Sequence, residues 1–123
     1  MKTKVFTVTH AKAKLKRRPA IKLQGDWLGK IGFEAGKVVT AQYQKGKITL
    51  RLGNSITGGL KTSRGLFQVR WETVGKKAYP QIDLKGFWLE RFGFTVGSII
   101  ITRYEYGLII ILPLDLDQYT LEV

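Results

Sequence analysis

The sequence GDWLGKIGFEAGKVV at residues 25–39 has a close counterpart, GFWLERFGFTVGSII, at residues 86–100. The shared residues keep fixed offsets: Gly25/Gly86, Trp27/Trp88, Leu28/Leu89, Gly32/Gly93, Phe33/Phe94 and Gly36/Gly97. Because glycines and aromatics at fixed spacing reflect backbone and packing requirements, the pattern predicts an internal repeat.

The length of the chain decides how the repeats are organised. At 123 residues the chain can bury one sizeable core, whereas two separate domains of about 60 residues would each be marginal. We therefore predict one compact domain over 1–123. It consists of a first repeat at 1–54, a linker at 55–65 rich in Gly, Ser and Thr, and a second repeat at 66–123.

Each repeat reads as an opening strand, a loop, a short strand, a short helix and a β-hairpin. Residues 5–9 and 66–71 are β-branched and aromatic, as opening strands are. Gly32 and Gly93 stand where a left-handed residue would end the helix, and the next phenylalanine would fold back onto it. Glycine at 46 and 107 predicts tight turns in hairpins 38–52 and 99–114.

The charge is distributed unevenly between the repeats. The net charge is +12, and residues 1–54 carry 13 Lys/Arg against 2 acidic residues, while residues 55–123 carry 8 against 7. A basic excess confined to one repeat favours a surface for a polyanion, with a solubilising surface as the alternative. The chain has no cysteine, which excludes disulfides and thiolate metal sites.

The pattern P-x-I-x-L-x-G-x-W-L-x-x-x-G-F-x-x-G, preceded by a basic strand and loop, resembles the SymE toxin family of type I toxin–antitoxin systems. The resemblance implies a mainly β fold, an AbrB-like swapped-hairpin β-barrel with one short helix per repeat. Such barrels are built from two subunits, whereas SymE-like proteins usually carry one copy of the unit. We therefore expect the two repeats to form an intramolecular pseudo-dimer, which makes the second docking step intramolecular.

The loop after the opening strand is the predicted nucleic-acid contact. In AbrB-like DNA-binding proteins this loop presents arginines, and here it reads THAKAKLKRRP, a cluster of cations suited to phosphates. The matching stretch of the second repeat, RWETVGKKAYP, is less basic. The predicted binding residues are Lys2, Lys4, Lys12, Lys14, Lys16, Arg17, Arg18, Lys45, Lys47, Arg70, Lys76 and Lys77.

Catalytic residues are harder to assign. The resemblance implies RNA cleavage, and metal-free cleavage needs a base near the 2′-hydroxyl. His10 is the sole histidine and the weak candidate for that base, with a solvated loop residue as the alternative. Glu34 reads as a turn residue, and Asp115 and Asp117 alternate as carboxylate ligands could, but far from the basic loop. We predict no metal site and no cofactor.

Three functions remain open. The first is a SymE-like toxin that binds RNA, with endoribonuclease activity implied by the resemblance. The second is a non-enzymatic AbrB-like DNA-binding regulator or nucleoid-associated protein, and the third is an antitoxin-like protein-interaction module that uses the acidic C-terminal residues. We expect nucleic acid as partner, no membrane association, a monomeric chain and a cytoplasmic location.

Overall fold

The computed structural model describes residues 1–11, 18–53 and 63–114, and it confirms the mainly β prediction. The first repeat contains β1 (Lys2–Thr7), β2 (Thr9–Ala11), β3 (Arg18–Gln24), α1 (Asp26–Lys30), β4 (Val38–Gln44) and β5 (Lys47–Leu52). The second contains β6 (Ser63–Gln68), β7 (Arg70–Val74), β8 (Lys77–Lys85), α2 (Trp88–Arg91), β9 (Ile99–Glu105) and β10 (Leu108–Pro113). Both predicted hairpins are present, as β4–β5 and β9–β10.

The strands form two antiparallel sheets in which the repeats are interleaved. The larger sheet has the order β1-β9-β10-β5-β4-β6, and the smaller has the order β2-β3-β8-β7. Each order is unchanged when every strand is replaced by its counterpart in the other repeat. The opening strand of each repeat therefore pairs with the hairpin of the other: β1 with β9, and β6 with β4.

Both helices end as the repeated glycines predict. Gly32 and Gly93 have the same φ of 93°. The amide of Phe33 donates to the carbonyl of Leu28 at 2.8 Å, and the amide of Gly32 donates to Gly29 at 3.1 Å. These are the two hydrogen bonds of a Schellman ending, and the second repeat makes the equivalent pair. The predicted stop signal is confirmed.

The opening segments differ from the prediction. Each was expected to be one strand, but a buried valine interrupts it, Val8 between β1 and β2 and Val69 between β6 and β7. The backbone groups of Val8 bond to the turn of the other repeat, donating to Ser98 at 2.8 Å and accepting from Gly97 at 2.9 Å. The chain therefore leaves one sheet and enters the other at these valines, because the opposite repeat satisfies their backbone groups.

The core lies between the sheets and is drawn from both repeats. Leu28, Phe33 and their counterparts Leu89 and Phe94 are fully buried there. The inward residues of the central strands complete it: Ile21, Leu23, Val39, Ala41, Ile48, Leu50, Ile82, Leu84, Ile100, Ile109 and Ile111. One continuous cluster shared by the repeats contributes most of the hydrophobic stabilisation.

Three further features depart from the sequence predictions. The closed β-barrel is not found, because the described strands form two open sheets with edges at β1, β6, β2 and β7. The loop predicted in the second repeat is a hairpin, β7–β8, whose turn contains Gly75 at a φ of 64°. Strand β6 begins at Ser63, within the segment assigned to the linker, because it pairs with β4 as far as Tyr43.

Candidate nucleic-acid interface

Two of the predicted lysines lie on β1, beside α1. Lys2 is opposite Tyr104 and Lys4 opposite Thr102 in the β1–β9 register, so both point to the same face of the sheet. The Lys4 ammonium lies 5.5 Å from the ring centroid of Trp27, within the range of a cation–π interaction. Repeat interleaving thus brings these first-repeat cations to the hairpin of the less basic second repeat.

The tryptophan beside these lysines is held on several sides. Its Nε1 donates to the carbonyl of Gln24 at 2.9 Å, and its ring centroid lies 4.9 Å from that of Tyr104 and 6.2 Å from that of Phe6. Tyr104 comes from the other repeat. Trp27 therefore packs between the repeats, and it is partly buried against the core.

A groove of about 590 Å³ opens next to this cluster, between α1 and the β9–β10 turn. Its polar and aromatic lining comprises Lys2, Trp27, Lys30, Tyr104, Glu105 and Tyr106. Two lysines and one carboxylate surround an aromatic surface, which is a composition suited to a ligand with both charge and a flat ring.

Two further lysines of the predicted set, Lys45 and Lys47, lie elsewhere. Lys45 and Lys47 flank Gly46 at the β4–β5 turn, and the Gly46 amide donates to the carbonyl of Phe92 at 2.7 Å. That turn therefore sits at the end of α2, whereas Lys2 lies at α1. The structure does not bring these four lysines into one cluster, but it places a pair of them beside each helix.

The basic loop itself falls largely outside the described residues, and Lys12, Lys14, Lys16 and Arg17 belong to that part. Its flanking strands are described: His10 lies in β2 and is exposed, and Arg18 begins β3. In the β2–β3 register, Ala11 is opposite Arg18. The two ends of the loop therefore meet at the edge strand of the smaller sheet.

The three candidates of the second repeat lie at or near the β7–β8 hairpin. Arg70 begins β7, Lys76 is exposed in the turn, and the Lys77 ammonium lies 3.3 Å from Oδ2 of Asp26. Lys77 also lies 5.2 Å from the ring centroid of Tyr79. A carboxylate at the start of α1 thus offsets part of the positive charge of this hairpin.

The sole histidine lines a second, smaller groove. This groove of about 330 Å³ is formed by Thr9, His10, Ala20, Lys22, Asp83 and Lys85. The Lys85 ammonium lies 3.8 Å from Oδ2 of Asp83. An imidazole near two ammonium groups is a set of groups that can bind a phosphodiester and exchange a proton with it.

Of the remaining candidates, Glu34 is a turn residue in the structure. The carbonyl of Glu34 accepts a hydrogen bond from the amide of Lys37 at 3.1 Å, as a turn residue does, and the Glu34 side chain is exposed. Asp115 and Asp117 fall outside the described residues. Within residues 1–11, 18–53 and 63–114, no three His, Asp or Glu side chains cluster as metal ligands would.

The structure adds groove residues that the sequence did not single out for binding, namely Lys22, Lys30, Lys85 and Tyr106. The position of Lys30 in the sequence indicates only a cation at the end of a helix. A signal for Tyr106 was available in the repeat comparison, since it occupies the turn position that Lys45 holds in the first repeat. A tyrosine in the place of a lysine at an exposed turn puts an aromatic ring on the surface, where a ligand can reach it.

Comparison with known proteins bears on the first repeat. Residues 3–52 match the family model described as toxin SymE, type I toxin–antitoxin system. The first repeat is thus similar to the SymE toxin family over these residues. The SymE match ends at residue 52, so the second copy rests on the repeated sequence and on the equivalent elements of the structure.

Two other comparisons found nothing: no curated protein and no solved structure matches the chain. Neither helix within the described ranges has the length and apolar character that crossing a membrane requires.

Proposed function

We propose that this chain is a SymE-like toxin of a type I toxin–antitoxin system that binds RNA through its cationic surface. The match of residues 3–52 to the SymE toxin family model supports the toxin assignment. The net charge of +12 supports a polyanionic partner, because phosphate neutralisation supplies most of the affinity in sequence-independent binding.

The observation that carries the proposal is that four of the predicted binding lysines have no carboxylate partner among the described residues. Among the described residues, no carboxylate oxygen lies within 4.0 Å of Lys2, Lys4, Lys45 or Lys47. Lysines that serve only as ion-pair partners would have such neighbours. These ammonium groups are therefore available to phosphates at both helices.

A binding assay with labelled RNA and labelled duplex DNA, with and without EDTA, tests the proposal. We expect a shift of RNA, and a shift of duplex alone would favour the DNA-binding regulator instead. Absence of any shift would contradict nucleic-acid binding and leave the antitoxin-like interaction module.

Charge variants identify the face that binds. Replacing Lys14, Lys16, Arg17 and Arg18 together with alanine should weaken binding and lower the slope of log K against log salt by roughly one unit for each phosphate that is no longer neutralised. Sequence preference should change little, because these side chains bind phosphates rather than base edges. The matched control, Lys76→Ala with Lys77→Ala, should cost less since Asp26 already pairs with Lys77. Equal effects of the two sets would mean that both repeats bind alike.

A second candidate function, RNA cleavage, is favoured by the groove that His10 shares with Lys22 and Lys85. In it, His10 would accept the 2′-hydroxyl proton as the 2′-oxygen attacks phosphorus. The ammonium groups would stabilise the phosphorane, and one of them would give a proton to the leaving 5′-oxygen as its bond to phosphorus breaks. In the same assay, cleavage that is abolished in His10→Ala while the shift persists would support this role. A shift without cleavage in the unmodified protein would contradict it.

We also infer that the two repeats take the place of two subunits of an AbrB-like swapped-hairpin dimer. The exchange of opening strands between the repeats supports this inference. A toxin that acts on RNA would act in the cytoplasm, where its target is made.

A further inference from the structure

We propose that the groove between α1 and the β9–β10 turn is a subsite for one unpaired nucleobase, and that Tyr106 is its stacking platform. The inference rests on the proposed function, and it adds a preference for single strands that a charged surface alone would not have. The dimensions of the groove suit a base, because its volume of about 590 Å³ falls in the range of small-ligand sites.

Tyr106 is exposed and yet held in place. Its side chain is 76% exposed, the largest exposure among the large hydrophobic residues of the described ranges. The next residue is anchored, since the amide of Gly107 donates to the carbonyl of Ile31 at 2.7 Å. The ring itself borders Gly32, where a Cβ atom would lie 3.0 Å from Cζ of Tyr106. A ring that is supported from one side and open on the other can stack on a base without first being ordered.

The other aromatic residues of the groove are already engaged. Trp27 packs on Tyr104 at 4.9 Å, donates to Gln24 and carries the Lys4 ammonium near its ring. Tyr104 is only 8% exposed. These two rings therefore form the wall of the groove, and Tyr106 is left as the free platform.

The charges around the groove fit a nucleotide rather than a phosphate alone. Lys2 and Lys30 supply cations for the backbone phosphates on either side of the base. Glu105 would repel a phosphate, but its carboxylate can accept a hydrogen bond from the exocyclic amino group of a base. Stacking on a side chain requires a base whose face is free, as it is in a single strand and is not within a duplex.

The equivalent surface beside α2 has a different residue at the position that corresponds to Tyr106. Lys45 occupies the turn position of Tyr106, and no atom lies within 4 Å of the position that a Cβ of Gly93 would occupy. Within the described residues, an aromatic platform is thus present beside α1, where it is Tyr106. Beside α2 the equivalent position holds the cation of Lys45.

The test measures the affinity of the full chain for a fluorescently labelled 12-nucleotide single-stranded RNA and for the corresponding duplex. Tyr106→Ala should weaken single-strand binding at least about fivefold, the effect expected for one base stack, and leave duplex binding within about twofold. Tyr106→Phe should retain the wild-type affinity, because it keeps the ring. Tyr106→Leu, which keeps apolar area without a ring, should behave like the alanine variant.

Trp71→Ala is the matched control, because Trp71 is also exposed, at 64%, but lies on β7 away from this groove. It should leave single-strand binding unchanged. Equal weakening by Trp71→Ala, equal weakening of duplex binding, or full affinity of Tyr106→Ala and Tyr106→Leu would each overturn the subsite while leaving the proposed function in place. If the unmodified protein binds neither probe, the proposed function itself fails. Thermal unfolding of each variant separates loss of the site from loss of the fold.

Discussion

Gly32 and Gly93 occupy equivalent positions but have different surroundings. Both have φ of 93°, which strains any residue with a side chain. A Cβ atom at Gly32 would lie 2.6 Å from Cδ1 of Leu52, whereas one at Gly93 would meet nothing within 4 Å. The glycine is therefore required by the helix ending in both repeats and by close packing only in the first.

This difference predicts unequal costs of the same substitution. Gly93→Val should lower the free energy of unfolding by more than about 1 kcal/mol through backbone strain. Gly32→Val should cost about 1–3 kcal/mol more, because Leu52 and Tyr106 must also move. Urea denaturation measures both values. Equal losses of stability would show that the Leu52 side chain can move aside without an energetic cost. No loss at either position would contradict the role of these glycines in ending the helices.

The ionisation of Tyr43 affects the stability of the protein at alkaline pH. It packs against Trp88, with ring centroids 4.6 Å apart, and burial raises its pKa above the ordinary value of 10.0. A raised pKa means that the folded state holds the proton more tightly than the unfolded state. Its contribution to stability is thus complete below pH 10 and disappears as the pH rises through the folded-state pKa.

We therefore expect Tyr43→Phe to show a shallower decrease of stability above pH 10 than the unmodified protein. The measurement is the urea midpoint at several pH values from about 8 upward. The unmodified protein, measured over the same pH range, is the reference. Parallel profiles for the Tyr43 variant and the unmodified protein would contradict the role of burial.

At the scale of the element, the interruption of each opening strand determines how the two sheets and the two repeats are joined. Val8 and Val69 are 1% and 3% exposed, and their backbone groups bond to the turns at 95–98 and 34–37 of the opposite repeat. Each valine thus joins the two sheets and the two repeats at one point.

This arrangement predicts that Val8→Ala and Val69→Ala each lower the free energy of unfolding by about 1–2 kcal/mol, since each removes buried apolar surface. The two effects should be similar, because the sites are equivalent. Val5→Ala is the matched control: Val5 lies in β1 but is 65% exposed, and its effect should stay within about 0.5 kcal/mol. A Val8 variant as stable as the Val5 variant would show that the Val8 side chain contributes little to the free energy of unfolding.

At the scale of the whole molecule, the exchange of β1 and β6 explains why one chain contains two repeats. Each opening strand finds its partner in the other repeat, so one repeat alone would leave the outer strand of its hairpin, β4 or β9, without that neighbour. Unpaired strand edges invite association with further chains, and two repeats in one chain supply the partner internally.

We accordingly expect the protein to be a monomer in solution. Size-exclusion chromatography with light scattering should give a mass of about 13.9 kDa, independent of concentration. A stable dimer of about twice that mass would contradict the explanation offered for the repeat, because it would show that the interleaved pair still needs a second chain.

Features that depend on a few neighbouring residues could be predicted from the sequence alone. The helix endings at Gly32 and Gly93, the two hairpin turns and the shared aromatic core all follow from backbone preferences and apolar spacing, which act over a few positions. The same local signals carried the resemblance to the SymE family that the match over 3–52 confirms.

In contrast, only the tertiary fold determined which strands are neighbours and which cations lie close together. Lys2 and Lys45 belong to one basic repeat, yet they lie at different helices because β1 crosses to the hairpin of the other repeat. The groove at Tyr106 likewise joins α1 to a turn more than seventy residues later. Pairing over such separations depends on the free energy of the shared core, which no local pattern encodes.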